Sequence, residues 1–112
     1  FGPALLDGKG NPLKSYNCNS HVAKKNPRSA IGYFEPGHYC FVVVDGRNDA
    51  SRGASIRELA RFMAGLGCKW AYNLDGGNSA TLAFNGQVFS LKPQDDRGVS
   101  DIIYFCSAIS EE

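Results

Sequence analysis

The chain has 112 residues, 43% of them hydrophobic and 21% charged, with a formal net charge of +1. That length supports one domain with a modest core. Near-neutral charge excludes a general attraction to nucleic acid or to an anionic membrane surface, and no apolar run approaches the roughly 20 residues that span a bilayer.

The opening residues Phe1-Gly2-Pro3-Ala4-Leu5-Leu6 show no signal-peptide pattern and read as the continuation of something already under way. A single domain over residues 1–112, trimmed at its N-terminal side, is the expectation. Residues 7–28 are polar and rich in turn formers, among them Asp7, Gly8, Asn11, Pro12, Asn26 and Pro27. They are expected to be the longest irregular region, and loops of that length in compact domains are often functional.

Residues 29–33 and 38–44 read as the strands of a hairpin that turns at Glu35-Pro36-Gly37. Unbroken apolarity over residues 40–44 predicts a strand covered on both faces. Residues 55–66 are predicted to be a helix, because Ile56, Leu59, Ala60, Met63 and Leu66 recur at helical spacing. Ser55 and Glu58 stand as a capping box at its start, and Gly67 stands where a left-handed residue ends a helix. Arg57 and Arg61 fall toward solvent.

Residues 69–74, 79–84 and 87–91 are predicted strands, the last two joined by the hairpin signal Asn85-Gly86. Residues 100–106 form the final predicted strand. The helix between strands 40–44 and 69–74 resembles a crossover, so those two are expected to run parallel. The fold class is α+β, or mixed α/β: a mostly antiparallel twisted sheet with one main amphipathic helix, residues 55–66, packed on it.

Cys18, Cys40, Cys68 and Cys106 are widely spaced and form no C-x-x-C pair, which argues against a zinc site. Cys40 and Cys106 lie in apolar runs and are expected to act as small hydrophobes, with one disulfide involving Cys18 as the alternative. His21 and His38 have no partner at metal-ligand spacing. No metal and no cofactor are expected.

The chemistry concentrates in Asn73-Leu74-Asp75-Gly76-Gly77-Asn78-Ser79, which follows the apolar stretch Trp70-Ala71-Tyr72. A simple hairpin needs one Asp-Gly, whereas this run places an amide, a carboxylate and a hydroxyl around paired glycines that let a ligand approach the backbone. Asp45-Gly46-Arg47 forms a second turn of this kind after the apolar run 40–44. Taken alone, that turn reads equally as an Asp-Gly turn with a solvated arginine. Arg28 and Arg97 precede strands, and they are either solvated edge charges or, with Arg47, guanidinium forks converging on an anion. Glu58 is a candidate acid that its capping position also explains.

Five blocks, Asn26-Pro27-Arg28-Ser29-Ala30-Ile31-Gly32, Asp45-Gly46-Arg47, Gly53-Ala54-Ser55 with Glu58-Leu59-Ala60, Asn73-Leu74-Asp75-Gly76-Gly77-Asn78-Ser79 and Arg97-Gly98-Val99-Ser100, stand in the order of a known domain. Over residues 26–106 the chain resembles the phosphodiester glycosidase domain. It departs from the usual family pattern in having serine for threonine at 29 and 55 and asparagine for glycine at 78.

The resemblance implies cleavage of a sugar-1-phosphodiester between the anomeric carbon and the phosphate oxygen. It ranks Asp75 first, Asp45 second and Glu58 third as the catalytic carboxylate. Arg28, Arg47 and Arg97 are then candidate phosphate ligands, Asn73 and Ser79 bond sugar hydroxyls, and Gly76 and Gly77 are substrate-binding residues. The implied partner is a glycan or sugar phosphate, and the implied location is extracytoplasmic, at a bacterial envelope concerned with exopolysaccharide. Two other readings of the same turns are a non-catalytic envelope carbohydrate-binding domain, motivated also by Tyr16 and Tyr33, and a metal-dependent phosphodiesterase with Asp45 and Asp75 as oxygen ligands.

Overall fold

A computed structural model of the chain describes residues 1–90, 98–99 and 102–108. Its centre is the strand β1 (Arg28–Glu35), which turns through Pro36 and Gly37 into β2 (His38–Val44). The pairing runs antiparallel from Arg28 opposite Val44 to Tyr33 opposite Tyr39, with one irregularity between Tyr33 and Glu35. On its other edge β1 takes β3 (Trp70–Asn73), also antiparallel, with Ala30 opposite Asn73. β2 and β3 therefore run in the same direction, as the crossover pattern predicts. They are not neighbours, because β1 lies between them.

The pleat of β1 sorts its side chains. Arg28, Ala30 and Gly32 are buried on one face, and their partners Val44, Val42 and Cys40 share it. The helix α2 (Ile56–Gly65) covers this face with Ile56, Leu59, Ala60 and Met63. These four join Leu5, Leu6, Ala30, Cys68 and Ala71 in one core. The capping box is complete: Ser55 Oγ accepts from the Glu58 N–H at 3.1 Å, and Glu58 Oε1 accepts from the Ser55 N–H at 3.1 Å. Leu66 differs from expectation. It is the C-cap, where the face turns away from the core, and it remains exposed. Gly67 follows at a φ of 96°.

The N-terminal residues extend the sheet. The Gly2 N–H donates to the Asn73 carbonyl, the Asn73 N–H to the Pro3 carbonyl and the Leu5 N–H to the Ala71 carbonyl, at 2.9, 3.1 and 2.9 Å. Residues 7–28, expected to be irregular, contain a one-turn helix α1 (Ser20–Ala23), which Asn19 caps by accepting from the Val22 N–H at 2.9 Å. The hairpin β4 (Ala83–Phe84) and β5 (Gln87–Val88) is shorter than predicted. Its turn is as expected, with Asn85 at φ 50° and Gly86 at φ 78°, the signature of the two-residue loop that matches strand twist.

Three expectations need correction. The apolar run 40–44 is not covered on both faces: among the described residues β2 is an edge strand, and its side chains there are half-buried. Residues 102–106, predicted to be strand, are exposed and carry no strand ladder, and Cys106 with them is not a core residue. Residues 91, 100 and 101 of the predicted terminal strands lie outside the described residues. The sheet face opposite α2, which presents Ile31, Tyr33, Tyr39, Phe41, Val43 and Tyr72, is apolar yet only partly covered.

The thiols that meet are Cys40 and Cys68, with Sγ atoms 3.8 Å apart, and not a pair involving Cys18. Burial first, and then the Cys40 contact, push the Cys68 thiol up to about 11. Gly32 makes room for them. A Cβ there would lie 2.5 Å from Cys68 Sγ and 2.8 Å from both Cys40 Sγ and Met63 Cε. Gly32→Ala is expected to destabilise the fold by about 1–3 kcal/mol through overpacking, measured by denaturant unfolding.

Candidate active site

The two polar turns are brought together by the segment Asn26-Pro27-Arg28. Val44 and Asn73, the last residues of β2 and β3, pair with Arg28 and Ala30 at the start of β1. Asp45 and Asp75 therefore leave the sheet at the same end. Beyond the strands, the chain approaches this segment without intervening side chains. The Gly77 N–H donates to the Pro27 carbonyl at 2.9 Å, and a Cβ on Gly76 would lie 2.5 Å from the same oxygen. Gly53, at φ 88°, lies so close to Asn26 that a Cβ would stand 2.3 Å from its carbonyl oxygen. Ala54 then exchanges backbone hydrogen bonds with Asn26 at 3.0 and 3.2 Å.

Asp75 is exposed and lines a cavity of about 680 Å³ with Ser29, Asn78, Ser79, Phe41 and Val43. The cavity lies on the sheet face opposite α2, so one wall is apolar and the Asp75 turn supplies the polar rim. Ser79 ends a short 3-10 turn (Gly77–Ser79) that aims this rim. Asp45 sits across β1 at the same sheet end, half-buried, outside the lining of that cavity. Its own loop is well tied: Ser51 Oγ donates to the Asp45 carbonyl at 2.7 Å, and Asn48 Oδ1 accepts from the N–H groups of Ala50 and Ser51 at 2.9 Å each.

The arginines have separate fates. Arg28 is almost fully buried. Its Nε donates to the Ala54 carbonyl at 2.8 Å, and Nη2 donates to the carbonyls of Val22 and Lys24. Burial pushes its pKa below the ordinary guanidinium value. These bonds make Arg28 the tie between β1, α1 and the approach to α2, directed away from the cavity rim. Arg47 is exposed, with its backbone in the left-handed region at φ 57°. Its Nη1 donates to Asn78 Oδ1 and its Nη2 to Asn26 Oδ1, each at 2.9 Å. Arg97 lies outside the described residues.

Asn73 is buried and donates from Nδ2 to the Gly2 carbonyl at 2.9 Å, while its Oδ1 has no partner among the described residues. It stands on the α2 side of the sheet beside Ala30, not on the cavity side. Glu58 is occupied at both oxygens, by the Ser55 N–H and by Lys25 Nζ at 3.1 Å. The Ser55 hydrogen bond foremost, and then Lys25, lower its pKa to about 2. Such a carboxylate is ionised at neutral pH and holds no proton to donate. Tyr16 and Tyr33, the motive for a carbohydrate-binding surface, are both half-buried; Tyr16 packs under the Arg57 guanidinium and Tyr33 against Tyr39. Among the described residues, no three His, Cys, Asp or Glu side chains converge as metal ligands.

Sequence reasoning passed over Asn26 as a site residue and read Asn78 only as a departure. No local pattern marks the pair, since the two amides reach Arg47 from positions 21 and 31 residues away in the chain.

A family model described as phosphodiester glycosidase matches residues 1–106. The chain belongs to the phosphodiester glycosidase family. A bovine relative, named N-acetylglucosamine-1-phosphodiester alpha-N-acetylglucosaminidase, is 36% identical over 72 residues, 64% of this chain and 14% of the relative. The SPbeta prophage-derived protein YomE of Bacillus subtilis is 32% identical over 80 residues, 70% of this chain and 12% of its own length. A crystal structure of a hypothetical protein from Synechocystis superposes with a TM-score of 0.68 at 33% identity, covering 81% of this chain and 17% of that one. The chain thus spans 12 to 17% of the length of these relatives, and the family match over residues 1–106 includes the sheet end with both acidic turns.

Glu58 gives this phosphodiester glycosidase fold a measurable acid limb. Its folded pKa of about 2 lies below the ordinary 4.5, so its contribution is complete above 4.5 and is lost as pH falls toward 2. Glu58→Gln keeps the cap geometry and removes the titration. Unfolding midpoints measured across that pH window are expected to fall less steeply in the variant than in the parent.

Proposed function

We propose that the protein hydrolyses a sugar-1-phosphodiester at the anomeric C–O bond, with an α-linked N-acetylglucosamine-1-phosphodiester as the representative substrate. The observation that carries the reading is the placement of Asp75 on the rim of the cavity next to Asn78, which holds Arg47. Asn78 thus links the cavity that Asp75 lines to a guanidinium that is not itself among the lining residues. The family match and the name of the bovine relative support the same chemistry.

The reaction breaks the bond between C1 and the bridging phosphate oxygen, and the oxygen leaves with the phosphate. The leaving group is a phosphomonoester whose second pKa is about 6, so it departs with little need for protonation. Arg47 offsets the charge that develops on it. Asp75 either attacks C1 or activates the water whose oxygen becomes the new anomeric hydroxyl, and Ser79 contacts the sugar. Asp45 is the second carboxylate of this proposal. A separation near 5 Å between the two carboxyl groups on substrate binding corresponds to retention, and about 6.5–9.5 Å to inversion. Arg28 and Glu58 enter only as framework, because Arg28 Nε and Nη2 and both Glu58 oxygens are bonded to the protein itself. The proposed setting is extracytoplasmic, on the family resemblance.

Asp75→Asn preserves shape and removes the charge. Its kcat on UDP-N-acetylglucosamine, followed by release of free sugar, is expected to fall at least about 100-fold. Activity equal to the parent would remove Asp75 from the mechanism.

A further inference from the structure

Arg47 combines three features that an ordinary solvated arginine lacks. Its backbone occupies the left-handed region at φ 57°, a conformation that side-chain-bearing residues hold only where the surroundings impose it. Its guanidinium lies directly over Gly77, where a Cβ would stand 3.3 Å from Nη2 and 3.4 Å from Nη1. Two amide oxygens from distant parts of the chain, Asn26 Oδ1 and Asn78 Oδ1, grip the two terminal nitrogens at 2.9 Å each. An exposed arginine ordinarily keeps its rotameric freedom, and the loss of that freedom is what a phosphate ligand must otherwise cost.

We infer that Asn26 and Asn78 are positioning residues that preorganise Arg47 as a phosphate receptor beside the cavity, on whose rim Asn78 stands. The inference rests on the proposed glycosyl-phosphodiester reading and adds to it the device that holds the anion. Two of the five N–H donors of the guanidinium go to the amides, which leaves three for phosphate oxygens. Neutral amide oxygens suit this task. A carboxylate in either place would hold the arginine equally well and cancel the positive charge that the phosphate needs. Asn26 is anchored in turn, since its Nδ2 donates to the carbonyls of His21 and Lys24 at 3.0 and 3.2 Å. Asn78 also lines the cavity with Asp75, so it couples the anion site to the catalytic rim. At 78 the family pattern usually has glycine; the asparagine here supplies a second grip.

The test uses inorganic phosphate as probe, titrated against the protein by NMR, beside steady-state kinetics on UDP-N-acetylglucosamine. Asn78→Ala is expected to weaken phosphate binding about tenfold, as loss of an ordered charge-assisted contact implies. The same variant is expected to lower kcat as well as kcat/KM, because the guanidinium it loosens offsets charge that develops on the leaving group. In an Arg47→Met background, Asn78→Ala is expected to change phosphate affinity no further, because its effect travels through the guanidinium. Asn78→Asp retains the grip and adds a negative charge, so its thermal midpoint is expected to match or exceed that of the parent while phosphate affinity still falls. That variant keeps the inference testable if the alanine variant does not fold. Equal phosphate affinity in Asn78→Ala and parent overturns the inference. So does an undiminished effect of Asn78→Ala in the Arg47→Met background, or the absence of saturable phosphate binding by the folded parent. Phosphate binding with the expected variant pattern but without sugar release upholds the receptor and refutes the proposed hydrolysis.

Discussion

The structure depends on how closely other loops can approach Asn26-Pro27-Arg28. Gly53 and Gly76 come against the backbone of this segment at separations that a Cβ would forbid, and Ala54 and Gly77 complete the seam with main-chain hydrogen bonds. Buried below it, Arg28 ties three backbone carbonyls together. A guanidinium in that position turns Nε and Nη2 toward the protein, and its value lies in geometry: it satisfies carbonyls that a loop crossing would otherwise bury without partners. The two acidic turns share one end of the sheet because their strands flank β1 and their glycines close on this segment.

Residues of the same type have divided their labour by surroundings. Glu58 and Asp75 are both carboxylates in sequence blocks shared with the family. Glu58 is consumed by a helix start and a lysine, whereas Asp75 projects from a glycine turn onto a cavity rim. Arg28 and Arg47 repeat the contrast, one gripping main-chain oxygens in the interior and the other gripped by side-chain oxygens at the surface. Motif membership alone does not separate a structural ion from a chemical one; the partners do.

Features whose causes are local were legible in the chain. The capping box of α2, the Asn85-Gly86 turn and the 28–44 hairpin each follow from a few adjacent residues, and the order of the five blocks led to the family. Features set by distant contacts were not. The apolarity of residues 40–44 reads as two-sided burial, but those side chains are half-buried and β2 is an edge strand among the described residues. Residues 102–106 have strand composition and no ladder. The Cys40–Cys68 contact arises only because β1 offers a glycine between them. Within the site, Asp75 was readable from its turn. The amides that hold Arg47 were not, since residues 26, 47 and 78 meet only after the sheet has formed.

The pairing of residues 2–5 with β3 has a consequence for synthesis. As the chain leaves the ribosome, Leu5 and Leu6 emerge long before Trp70 to Asn73 and have no place to bury themselves. The β1–β2 hairpin can close from neighbouring residues, while this outer edge must await a segment made much later and bear the entropy of a long loop when it closes. Nascent chains are thus expected to leave these two leucines uncovered until the Asp75 turn has been translated, and a chaperone that masks short apolar segments would find its work there.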